Sequence, residues 1–156
     1  MTRYSRKPAI FALALSLAVG ITALAATGQF RAAGSSTDAI DTLERAIASG
    51  KNDAAIWSAY GTALQQQHRF AHAAAAYQRA LDLQPDFQEV PKLRFNTALC
   101  LAESGDADKF FGFFAHLTAL DPKQAVDILD RPEVSSLHGD ARWSAAASTA
   151  RAQAAD

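Results

Sequence analysis

Large and small apolar residues return every three or four positions through most of the chain after residue 37, the interval that keeps them on one face of a helix. Ile40, Leu43 and Ile47 share such a face. Thr37 or Asp38 can cap that first helix, and Ser49-Gly50 ends it, because glycine accepts the left-handed conformation a helix C-terminus favours. Asn52 or Asp53 can cap the next helix, in which Ile56, Trp57, Tyr60 and Leu64 form a single stripe that stops at the polar run from Gln65 to His68. The third helix, about Phe70 to Leu83, carries Ala73, Tyr77, Ala80 and Leu81 on one side until Pro85 removes a backbone donor. A turn this short between the second and third helices forces them to pack antiparallel. Small Ala73 and Ala80 allow close approach, while Trp57 and Tyr77 fill the wider gaps.

The N-terminal pattern is different in kind. Arg3, Arg6 and Lys7 precede an uncharged run from Pro8 to Phe30. With Ala9 to Ile21 as its apolar region, Ala23-Leu24-Ala25 supplies the small residues a signal peptidase accepts, and cleavage after Ala25 is expected. The alternative is a retained membrane anchor reaching to about residue 27, since the full run can span roughly 30 Å of hydrocarbon with the basic end held inside. Residues 1–25 are therefore a signal peptide or an anchor, and either reading places the rest of the chain outside the cytoplasmic membrane, periplasmic or otherwise extracytoplasmic. Residues 29–37, QFRAAGSST, are small and polar without helical periodicity and read as a linker.

The 156 residues suffice for one domain with a real core, and scarce glycine with abundant alanine favours helix. The formal net charge is −1 with no Lys/Arg block to track a phosphate backbone, which argues against nucleic acid as a partner. Loss of residues 1–25 takes away three basic side chains and no acid, leaving 12 basic against 16 acidic ones, a net of −4. The single cysteine, Cys100, cannot form an internal disulfide, so packing alone must hold the fold. It lies between Leu99 and Leu101 and reads as a small buried apolar residue rather than a nucleophile. His68 and His72 stand four apart, but a turn between them denies a metal two ligands on one helix. No glycine-rich phosphate loop, nucleophile elbow or metal-ligand cluster is present, so neither catalysis nor a cofactor is expected. Asp106, Asp108 and Lys109 read as the charged start of a helix.

Residues 54–87 resemble the tetratricopeptide repeat, whose W-x2-L-G-x2-Y, A-x3-F and final P pattern is met by Trp57, Tyr60, Gly61, Leu64, Ala73, Tyr77, Ala80 and Pro85, with Tyr60 and Leu64 each substituting one apolar residue for another. His68 stands where that family usually has a turn glycine, which implies a slightly strained hairpin turn. A degenerate second copy runs over 91–124, with Leu101, Gly105, Phe110, Phe114, Leu117 and Pro122 in corresponding places. Arg94 and Thr97 replace large residues of its first helix, and Phe110 and Leu117 stand where the family prefers alanine, so its two helices should sit farther apart. Ala39, Leu43 and Ala46 show the spacing of a repeat's second helix, making 37–50 a half repeat. The resemblance covers 37–124 and implies an all-α, right-handed superhelical stack of helix hairpins. Residues 125–156 then form a helical C-terminal cap, broken at Asp130-Arg131-Pro132 and anchored by Trp143, because a repeat stack must hide its last apolar face.

The resemblance further implies a concave groove lined by the first helix of each pair. The residues there with no packing duty are Ser58, Thr62, Gln65, Gln66, Lys92, Phe95, Asn96 and Glu103. They would hold an extended peptide or a helix of a partner protein through amide hydrogen bonds and an apolar pocket at Phe95. Of a carboxylate-holding clamp only Lys92 and Asn96 are present, so capture of a chain terminus is not expected. The function expected is protein binding, as a scaffold or assembly adaptor. The alternative is a structural subunit that self-associates or joins a membrane-bound complex through a surface made of Phe110, Phe111, Phe113 and Phe114; burial of these rings under the cap is the competing expectation.

Overall fold

The computed structural model describes residues 36–86 and 88–156, and all regular structure among them is helical. The expected signal peptide or anchor, and the linker up to residue 35, lie outside the described residues. In chain order the helices are α1 (Ser36–Ala48), α2 (Ala54–Gln66), α3 (Phe70–Asp82), α4 (Val90–Glu103), α5 (Ala107–Leu120) and α6 (Pro122–Leu129). A 3-10 segment η1 (Pro132–Leu137) and α7 (Trp143–Ala155) complete the chain.

Local chemistry accounts for where these helices begin and end. Asp53, Asp106 and Asp121 each accept a hydrogen bond from a backbone N–H of the following helix, at 2.8, 3.1 and 3.1 Å, satisfying a donor that has no partner inside the helix. Pro91, Pro122 and Pro132 sit in the first turns of α4, α6 and η1, where a missing N–H costs nothing. Helix α1 covers Ser36–Ala48, so Thr37 and Asp38 fall in its first turn instead of capping it. At the other ends, Gly50, His68, Gln84 and Gly105 all take positive φ, at 86°, 57°, 55° and 74°. After α2 the N–H groups of His68 and Arg69 reach back to the carbonyls of Gln65 and Leu64 at 2.9 Å each, the reverse turn a left-handed residue permits. Glycine fills two of the four left-handed positions; His68 and Gln84 hold the other two at a conformational cost.

Side-chain size decides how closely the hairpins pack. In the α2–α3 pair, Leu64, Ala73, Tyr77 and Ala80 are fully buried, and the backbones approach closely because α3 presents alanine toward both neighbours. The α4–α5 pair buries Phe110, Phe114 and Leu117 instead, and its helices make fewer close backbone approaches than α2 and α3, as the bulk of those side chains requires. Phe110 stacks on Phe114 with centroids 5.4 Å apart and meets Phe111 edge-on at 5.3 Å. Helices α6 and α7 and η1 close over this layer with Ala125, Ile128, Val134, Leu137, Ala147 and Ala150.

This packing corrects one expectation. Phe110, Phe111 and Phe114 are buried and Phe113 is half-buried, so the four rings do not form a surface for self-association. Two carboxylates help to close the cap over them: Arg142 pairs with Asp108 of α5 at 2.7 Å and with Asp140 at 2.8 Å, and its guanidinium lies 4.5 Å from the centre of the Phe111 ring.

Candidate protein-binding site

Helices α2 and α4 each pack on α3, and a recess of about 980 Å³ opens beside them. Its floor is built from small and aliphatic side chains, among them Leu43 of α1, Ala59 and Ala63 of α2 and Leu93 of α4. Ala55, Ser58, Ala59, Thr62 and Gln66 fall three and four residues apart on α2, so that helix turns a low-relief face toward the opening. The segment between α3 and α4 supplies the far wall with Leu83, Gln84, Pro85 and Asp86.

The recess brings together Ser58, Thr62, Gln66 and Lys92, half of the eight residues expected to line a groove. The other four lie elsewhere. The phenol of Tyr77, on a side chain that is fully buried, donates to Gln65 Oε1 at 2.9 Å, stands 3.1 Å from Thr62 Oγ1 and is hydrogen-bonded by the side chain of Asn96. Gln65 and Asn96 are thus occupied in satisfying a hydroxyl that would otherwise be stranded between α2, α3 and α4. Burial raises the phenol's pKa above its ordinary value, so it stays a neutral donor. Phe95 is half-buried with the Arg131 guanidinium 5.7 Å from its ring centre, covered from the cap side and not an open apolar pocket. Glu103 is exposed at the opposite end of α4, beside His68, Arg69 and His72.

Sequence reasoning missed Asp53, Asp86 and Glu89, which complete the rim, and Leu43, Leu83 and Leu93, which complete the floor. They come from three separate segments, and no spacing rule links residues 43, 53, 86 and 93. The engagement of Gln65 and Asn96 did have a signal: Tyr77 carries a hydroxyl at a position the repeat pattern buries, and a buried hydroxyl demands partners.

Cys100 is fully buried, and burial, helped by the nearby Glu103 carboxylate, pushes its thiol up to about 12. His68 occupies the left-handed turn while His72 lies within α3, so no helix runs through both. Among the described residues no group of three or more His, Cys, Asp or Glu is placed to hold a metal ion, and no helix is long and apolar enough to cross a membrane.

No curated protein and no solved structure matches the chain. Residues 54–87, which comprise α2, α3 and the turn that follows, match the family model described as the tetratricopeptide repeat. Gly61 against Tyr77, the alanines of α3 and the stop at Pro85 are the physical content of that match: residues 54–87 form a tetratricopeptide repeat (TPR), a unit that serves in general as a protein–protein interaction module.

Proposed function

We propose that this TPR protein is a scaffold or assembly adaptor outside the cytoplasmic membrane, holding a segment of a partner protein in the recess beside α2 and α4. The observation that carries the reading is the recess itself: an apolar floor of low relief, with Ser58, Gln66 and Lys92 around it for hydrogen bonding. A groove preassembled by repeat packing spends little free energy on ordering itself when the partner arrives, which favours affinity. Export rests on the basic residues and the uncharged run from Pro8 to Phe30.

The test is site-directed photo-crosslinking in the native host, with a photoreactive residue at Thr62 and, as control, at exposed Ser148 of α7. A defined partner crosslinked from Thr62 and not from Ser148 supports the reading. Crosslinks from neither position, or equally from both, overturn it. Intact mass of the recovered chain decides its attachment: a start at Ala26 means a released module, and an uncleaved start means an anchored one.

A further inference from the structure

The rim of the recess carries a charge pattern of its own. Asp53, Asp86 and Glu89 line it together with one cation, Lys92. The ion pairs among the described residues join Lys109 to Asp106, Arg131 to Glu133, and Arg142 to Asp108 and Asp140; none neutralises a rim carboxylate. Asp86 and Glu89 are exposed and flank the turn into α4, whose first turn holds no acid of its own. Asp53 Oδ1 accepts from the Ile56 N–H and is thereby held in place at the mouth of the recess. The rim therefore sets three carboxylates against one lysine around an apolar floor made by Leu43, Ala59 and Leu93.

From this charge complementarity we infer that the occupant is a cationic amphipathic segment of a partner protein, with aliphatic side chains on the floor and Lys or Arg side chains toward Asp53, Asp86 and Glu89. This rests on the proposed use of the recess and adds the chemistry of what fills it. A segment bearing carboxylates would meet like charge at the rim and gain only Lys92. The low relief of α2, which presents Ala55, Ser58, Ala59 and Thr62 to the recess, suits a segment whose own apolar face is continuous.

The full chain can be titrated with two synthetic amphipathic peptides of identical leucine pattern, one with lysine and one with glutamate at every polar position. Anisotropy reads binding, and hydrogen–deuterium exchange locates it. The leucine–lysine peptide should bind, protect segments within 39–66 and 83–93, and weaken steeply with salt. The double change Asp86→Asn with Glu89→Gln should weaken it about tenfold at low ionic strength, whereas Asp127→Asn, on the exposed surface of α6, should not. Preference for the leucine–glutamate peptide at the same segments would overturn the charge assignment while leaving the recess as the binding site. Protection elsewhere, indifference to the double change, or no binding by either peptide would overturn the inference.

Discussion

The ring of Tyr77 lies against the backbone of Gly61, so closely that a Cβ at residue 61 would stand 2.8 Å from Tyr77 Cδ1 and Cε1. Tyr77 cannot retreat, because it is fully buried and its hydroxyl is tied to Gln65. Alanine ordinarily favours a helix over glycine by about 1 kcal/mol. Here that gain is outweighed by overpacking, and Gly61→Ala should lower stability by about 1–2 kcal/mol. The change in urea midpoint measures it; a rise would mean that α2 and α3 can part at no cost.

Ala73 makes the same argument from the other helix. It is fully buried between α3 and its neighbours, with no room for three further carbons. Ala73→Leu should cost about 1–3 kcal/mol. An unchanged melting temperature would contradict the close approach of the pair.

His68 and Gln84 both hold left-handed backbone without being glycine. Gln84→Gly should relieve strain and raise stability by about 0.5–1 kcal/mol. His68→Gly should gain less, because the imidazole meets the Phe70 ring edge-on at 5.5 Å and that contact disappears. Gly50→Ala and Gly105→Ala should go the other way, each by about 1 kcal/mol, since both hold left-handed backbone that a Cβ disfavours even though nothing crowds it. Four denaturation curves check the signs.

At high pH the buried thiol and phenol act together. Cys100 is raised from 9.0 to about 12, and Tyr77 is raised above 10.0, burial being the first cause of each. As pH climbs past 9 the unfolded chain gives up these protons while the folded chain keeps them, so stability falls as pH rises toward about 12. Urea midpoints should drop steadily from pH 8.5 upward, and Cys100→Ala should flatten the slope. In the folded protein Cys100 should resist iodoacetamide at pH 8 and react at the rate of global opening.

Asp140 sets the acid side. Its carboxyl is held down to about 2, first by the hydrogen bond from the Arg142 side chain and then by the Arg142 backbone N–H at 2.9 Å. A depressed carboxylate contributes stability above its unfolded value of 3.8 that is lost as pH falls toward about 2. A carboxyl NMR titration should find Asp140 still ionised at pH 3, and Arg142→Gln should return it toward about 4.

Much of this fold is legible along the chain because each helix carries its own instructions. Three- and four-residue spacing marks the buried faces, Asp53, Asp106 and Asp121 start helices through local hydrogen bonds, and Pro85 and Gly105 stop them. These interactions span at most four residues, so sequence alone discloses them. The looser second hairpin was also readable, because Phe110 and Leu117 stand where alanine permits contact in the first.

The lining of the recess was only half readable. Ser58, Thr62, Gln66 and Lys92 share one recess, while Gln65 and Asn96 serve Tyr77, Phe95 lies under Arg131, and Glu103 faces another end of the molecule. A helical pattern tells which face of a helix is polar, but it does not tell which polar residue a distant buried hydroxyl will claim. The chain alone determined its helices, most of their ends and the helix hairpin of residues 54–87, since those depend on neighbours in sequence. Only the tertiary structure decided that the phenylalanines are core and that Asp53, Asp86 and Glu89 share one rim, because those relationships arise when segments far apart in the chain are packed together.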